Sequence, residues 1–197
     1  MIVVADYGMG NLRNVQRAFE KTGYQVRVTA DPDVIRSAVK IVLPGVGAFG
    51  EAVKRIDGLG LREPLVAHAR AGKPLLGICL GMQLLFFSSE ESPGARGLEL
   101  LEGEVRKFRH APKIPHIGWN EVVPIPSAPL FAPGEGPVCC YFVHSYLVPD
   151  CAAATAFAEY GERFVSAVGT GSIYGFQFHP EKSQAAGLRM LGAFAAL

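Results

Sequence analysis

With 197 residues, 49% hydrophobic and 19% charged, the chain can build one packed core and is too apolar to stay disordered. A formal charge of +1 gives no basic face for nucleic acid, and no uninterrupted apolar run is long enough for a bilayer. The start, Met1-Ile2-Val3-Val4-Ala5-Asp6, has no secretory leader pattern, and the four cysteines lack metal spacing, so reduced thiols in a cytoplasmic protein are expected.

The first half alternates short apolar runs with amphipathic stretches. Strands are predicted at Met1 to Ala5, Gln25 to Thr29, Lys40 to Leu43 and Pro74 to Cys79. Helices are predicted at Asn11 to Lys21, around Val34 to Val39, from Glu51 to Ala71 as one long element, and from Leu80 to Phe87. This alternation predicts a mainly parallel central sheet with helices on both faces. The second half reads as extended segments: Leu98 to Phe108, Gly118 to Val123, Val138 to Val148, Ala153 to Tyr160, Phe164 to Val168 and Ser172 to Phe178. A helix from Gln184 to Phe194 closes the chain. The expected fold is α/β, a single domain over 1–197 with additional antiparallel strands in its C-terminal half.

Gly77-Ile78-Cys79-Leu80-Gly81 places a cysteine between glycines where an apolar strand meets a helix, the nucleophile-elbow pattern with cysteine in place of serine. The glycines suit a sharp turn, and the amides of the following helix favour a thiolate. The segment alone fits a buried core cysteine equally well. Gly175-Phe176-Gln177-Phe178-His179-Pro180-Glu181 follows an aromatic strand. Pro180 holds His179 extended, so His179 and Glu181 are expected on one side, where the carboxylate can fix the imidazole tautomer. By itself this segment reads more readily as a surface histidine beside an unrelated acid. Gly45-Val46-Gly47-Ala48-Phe49-Gly50 satisfies G-x-G-x-x-G, but the next strand ends in Gly77-Ile78-Cys79 and offers no acidic ribose anchor. Dinucleotide binding is rejected. Those glycines instead permit amides that turn toward a developing oxyanion.

Together, Pro44-Gly45-Val46-Gly47, Gly77-Ile78-Cys79-Leu80-Gly81 and His179-Pro180-Glu181 resemble the class I (triad) glutamine amidotransferases over the full length. Asp6 to Leu12, Pro115 to Asn120 and Tyr141 to Tyr146 further resemble the glutaminase subunits of imidazole glycerol phosphate synthase. The resemblance implies a catalytic triad of Cys79, His179 and Glu181, and an oxyanion site at Gly45, Val46, Gly47 and Leu80. It implies glutamine contacts at Gly47, Gln83, Glu91, His144, Ser145 and Tyr146, and no cofactor or metal. It also implies a heterodimer with a (β/α)8-barrel cyclase that takes up the ammonia in histidine biosynthesis, facing Asn11, Trp119, Tyr141 and Lys182. The competing readings are a glutaminase of another synthase (pyridoxal phosphate, anthranilate or aminodeoxychorismate), a stand-alone cysteine hydrolase, and a non-catalytic binding module. The single tryptophan, Trp119, is either an interface anchor or a core residue.

Overall fold

The computed structural model describes residues 1–197. In chain order the first half contains β1 (Ile2–Ala5), α1 (Leu12–Lys21), β2 (Val26–Thr29), α2 (Pro32–Ser37) and β3 (Lys40–Gly45). It continues with α3 (Phe49–Gly58), α4 (Arg62–Arg70), β4 (Leu75–Cys79), α5 (Leu80–Gln83) and β5 (Phe86–Ser89). The second half contains β6 (Leu101–Lys107), β7 (His116–Pro124), β8 (Val138–His144), β9 (Tyr146–Leu147), β10 (Ala154–Glu159), β11 (Arg163–Thr170) and β12 (Ile173–Phe176). A 3-10 turn at Pro180–Lys182 and α6 (Gln184–Ala196) complete it.

Nine strands form one sheet in the order β2-β1-β3-β4-β12-β11-β10-β7-β8. The run from β2 to β12 is parallel and the remainder antiparallel. β5, β6 and β9 make a small second sheet. The continuous apolar runs of the parallel strands have a direct cause: both faces are buried. Ile2, Val4, Leu76 and Ile78 face a cluster holding Val15, Phe19, Leu191 and Phe194 of α1 and α6. Val3, Ala5, Ile41, Leu43 and Leu75 face the other cluster, with Phe49, Ile56 and Leu65 of α3 and α4. Side chains two apart on a strand share a face, so each run supplies both layers.

Two predicted helices come out differently. The segment expected as one helix from Glu51 to Ala71 is broken into α3 and α4. The Leu59 N–H donates to the Arg55 carbonyl, Gly60 takes φ +67°, and buried Leu61 starts the second helix. A left-handed glycine beyond a helix end is the usual stop, and here it lets both helices lay an apolar face on the sheet. The helix expected from Leu80 to Phe87 lasts only through Gln83, and Phe86 and Phe87 enter β5. The N–H of Leu98 donates to the Leu84 carbonyl, and those of Leu100 and Leu101 to Leu85. The returning chain therefore takes acceptors that a longer helix needs. One turn carries little macrodipole, which removes most of the electrostatic support expected for the Cys79 thiolate from that source. The extended segment Val138 to Val148 is likewise interrupted at Ser145, whose carbonyl accepts from Phe108 N–H.

Candidate active site

Cys79 ends β4 with φ +55° and ψ −110°, a strained conformation for a residue with a side chain. The flanking glycines make it affordable in space. A Cβ on Gly77 would sit 2.6 Å from the Gly81 carbonyl oxygen, and one on Gly81 would collide with the Leu43 carbonyl. Pairing aligns Cys79 with Gly45 at the end of β3, so Cys79 and the glycine-rich loop emerge from neighbouring strand ends. On the other side Ile78 pairs with Phe176 of β12. His179 thus leaves the sheet next to Cys79, and adjacency of two parallel strands closes the long sequence gap between them.

His179 is buried, and its N–H donates to the Tyr141 carbonyl at 2.9 Å. The turn after Pro180 brings Glu181 back, and His179 Nδ1 donates to Glu181 Oε1 at 2.8 Å. The pair meets through this turn, with His179 extended at φ −98° and ψ 95°, and not through alternation along a strand as expected. Because the carboxylate only accepts, Nδ1 carries the proton and Nε2 is left for the sulfur side. Burial opposes charge on His179, but hydrogen bonding and charge from Cys79 and Glu181 outweigh it and raise its pKa to about 10. The arrangement therefore favours an imidazolium once the Cys79 sulfur carries charge. Ser183, missed in the sequence, secures the turn: its Oγ donates to the His179 carbonyl at 2.6 Å and accepts from Tyr141 N–H at 3.0 Å.

Cys79 opens into a cleft of about 210 Å³ whose wall brings together Val46, Gly47, Leu80, Gln83, Glu91, His144, Ser145 and Tyr146. Pro115 and Val143 complete that wall and were not anticipated. Gly45 lies below it, buried against the Tyr7 hydroxyl. Val46 and Gly47 are exposed, Gly47 at φ +107°, and their N–H groups take no part in the hydrogen bonds of the loop. Two anchors hold the loop's far end: Phe49 N–H donates to Glu91 Oε2 at 2.7 Å, and Gly50 N–H to Ser92 Oγ at 3.0 Å. One oxygen of Glu91 thus caps α3 while the residue lines the cleft.

Gln83 Nε2 donates to the Tyr146 carbonyl and to Gln177 Oε1, both at 3.0 Å, and Gln177 Nε2 approaches Cys79 Sγ at 3.9 Å. Gln177 was missed as well. Its signal is a fully buried amide within the aromatic strand-end run Phe176-Gln177-Phe178. His144 faces the cleft with both ring nitrogens committed, to Tyr146 and to His116.

Trp119 is 49% exposed on β7 and packs edge-on against Tyr141 with centroids 5.9 Å apart. Lys182 Nζ lies 5.5 Å from the Tyr141 ring, so three residues expected at a partner surface sit together beside the His179–Glu181 turn. Asn11 is exposed and caps α1, its side chain accepting from Asn14 N–H. No helix is long and apolar enough to cross a membrane.

The family described as glutamine amidotransferase class-I matches residues 3–195. The chain is 47% identical to imidazole glycerol phosphate synthase subunit HisH of Syntrophotalea carbinolica, covering 98% of both chains. It is 48% identical to the same subunit of Carboxydothermus hydrogenoformans, over 97% of this chain and 96% of that one. Among solved structures, a crystal structure of a glutamine amidotransferase superposes with a TM-score of 0.78 at 17% identity, covering 100% of this chain and 99% of the other. PurLQS from Thermotoga maritima gives 0.76 at 17% identity, over 99% and 97%. At such identities the structures speak for the fold, and the sequence relatives for the family. The chain belongs to the class-I glutamine amidotransferases, and within them to the imidazole glycerol phosphate synthase HisH subunits.

Proposed function

We propose that residues 1–197 act as one cytoplasmic glutaminase domain that hydrolyses L-glutamine at Cys79 and delivers the ammonia to a (β/α)8-barrel cyclase subunit. Family membership makes the chain a glutamine amidotransferase of histidine biosynthesis. The observation that carries the site assignment is His179 held between Glu181 and Cys79, the one of the three that opens into the cleft. The Cys79 thiolate attacks the side-chain amide carbon, and the carbonyl electrons move onto oxygen. The Leu80 N–H, with those of Val46 and Gly47 after the loop turns, stabilises that oxyanion. The intermediate collapses with expulsion of ammonia, its proton supplied by His179. A water then gives its proton to His179 and attacks the thioester, releasing glutamate and regenerating Cys79. Glu181 keeps the tautomer that both proton transfers need.

Trp119, Tyr141 and Lys182 support a docking surface beside the triad, with the aromatic pair as its anchor. The test is a glutaminase assay of the chain with and without the cyclase and the cyclase's ligand. Turnover is expected to be poor for the isolated chain and strongly stimulated in the complex. High turnover of glutamine or other γ-glutamyl compounds without a partner favours the stand-alone hydrolase.

A further inference from the structure

Behind the cleft, a row of buried polar groups runs inward from the exposed face of β7. His144 Nδ1 lies 2.8 Å from the Tyr146 carbonyl, and His144 Nε2 lies 2.9 Å from His116 Nδ1. A carbonyl can only accept, so His144 carries its proton on Nδ1 and presents a lone pair at Nε2. His116 must then carry its proton on Nδ1 and present a lone pair at Nε2. The outer end agrees: the Asn120 amide is oriented by Glu121 N–H donating to its Oδ1 at 2.8 Å. Its Nδ2 donates to the Glu159 carbonyl at 2.8 Å and faces His116 Nε2 at 3.4 Å. Backbone groups at both ends thus impose one direction on the whole row. Reversing either histidine sets two lone pairs or two N–H groups against each other inside the core. His116 is further held between Tyr160 and Phe142, with ring centroids 4.1 and 4.9 Å away. Inward, the same Tyr146 carbonyl accepts from Gln83, which donates to Gln177 beneath Cys79.

We propose that His116 is a positioning residue for the glutamine site: by donating to His144 it keeps the Nδ1–H form that orients the Tyr146 carbonyl and the Gln83–Gln177 amide pair. The proposal rests on the glutaminase reading above. Burial lowers His116 to about 4 and His144 to about 3, so both stay neutral at working pH, as the row requires.

The experiment combines imidazole ¹⁵N NMR of the full chain with glutamine kinetics of the cyclase complex, for wild type, His116→Phe and His116→Asn. In wild type both His116 and His144 are expected as Nδ1–H tautomers. His116→Phe keeps the aromatic stack but leaves His144 Nε2 without a donor. It is expected to mix the His144 tautomers and to raise KM for glutamine about tenfold, with kcat within about threefold and ammonia-dependent synthesis unchanged. His116→Asn, whose amide can donate from nearly the same place, is expected to restore most of both. A wild-type His144 in the Nε2–H form overturns the proposal, as does an unchanged KM in His116→Phe or an Asn variant no better than Phe. Should His116→Phe not fold, the wild-type spectrum and His116→Asn decide. An inactive wild-type complex overturns the glutaminase reading instead, and the tautomer spectrum still decides the row.

Discussion

Two buried histidine sites flank the cleft, and they are displaced in opposite directions. His179 is 3% exposed and raised to about 10, whereas His116 and His144, 2% and 6% exposed, are lowered to about 4 and 3. Burial acts alike on all three, against the charged form. The difference lies in the partners. His179 has an acidic group on each side, while the pair has each other, a backbone carbonyl and an amide, and the nearby His179 charge lowers His144 further. Burial therefore does not tell what a histidine is for; the charge of what it touches does. The contrast fits the roles proposed for them, proton transfer at His179 and positioning at the pair.

The largest effect expected at the charged site is from Cys79→Ala, which removes the proposed nucleophile. Glutamine-dependent synthesis by the complex should vanish while ammonia-dependent synthesis persists, and loss of both would make Cys79 structural. Next, Glu181→Gln keeps the shape of the carboxylate but removes its charge and frees the imidazole tautomer. Glutamine turnover should fall about 100-fold, with the His179 imidazole titrating well below its wild-type position by NMR; an unchanged titration would break the contrast drawn above. Trp119→Ala lies outside both histidine sites and should weaken cyclase binding about 30-fold, as truncation of an aromatic anchor does. It should leave both histidine titrations unmoved, measured by calorimetry and NMR.

A separate effect is on stability against pH, where the two sites act with opposite sign. An unfolded histidine titrates near 6.5. His116 and His144 are lowered in the fold, so the unfolded chain binds more protons below pH 6.5. Stability should decline as pH falls from 6.5 toward 4, by at most about 1.4 kcal/mol per pH unit for each histidine. His179 is raised, so its contribution is complete below 6.5 and is lost as pH rises toward 10. Denaturant unfolding across pH should show a maximum near neutrality, and His144→Gln should make the acid limb shallower while leaving the alkaline limb unchanged. A flat acid limb in wild type would mean the pair is protonated in the fold.

Much of the site was legible in residues because its constraints are local. An elbow cysteine needs glycines two positions away, and Gly77 and Gly81 stand there; a strand buried on both faces must be apolar throughout, as Ile2 to Ala5 and Leu75 to Cys79 are. The places where the reading and the structure part are those where a distant segment intervenes. The helix after Cys79 ends early because Leu98, Leu100 and Leu101 return to take the Leu84 and Leu85 carbonyls. Glu91 spends an oxygen on α3, forty-two positions upstream, which no local pattern announces.

The sequence by itself pointed to the residues proposed to carry the chemistry, the succession of strands and helices in the parallel half, and the resemblance that agrees with the family assignment. Only the tertiary structure decided that Cys79 and His179 stand at adjacent strand ends, that Trp119 is exposed, and that two further histidines form a neutral, directional row behind the cleft. The reason is physical. A motif records what one segment requires of its own backbone, whereas the partner that sets a charge, a tautomer or a helix end comes from another segment, and only the packed chain brings it there.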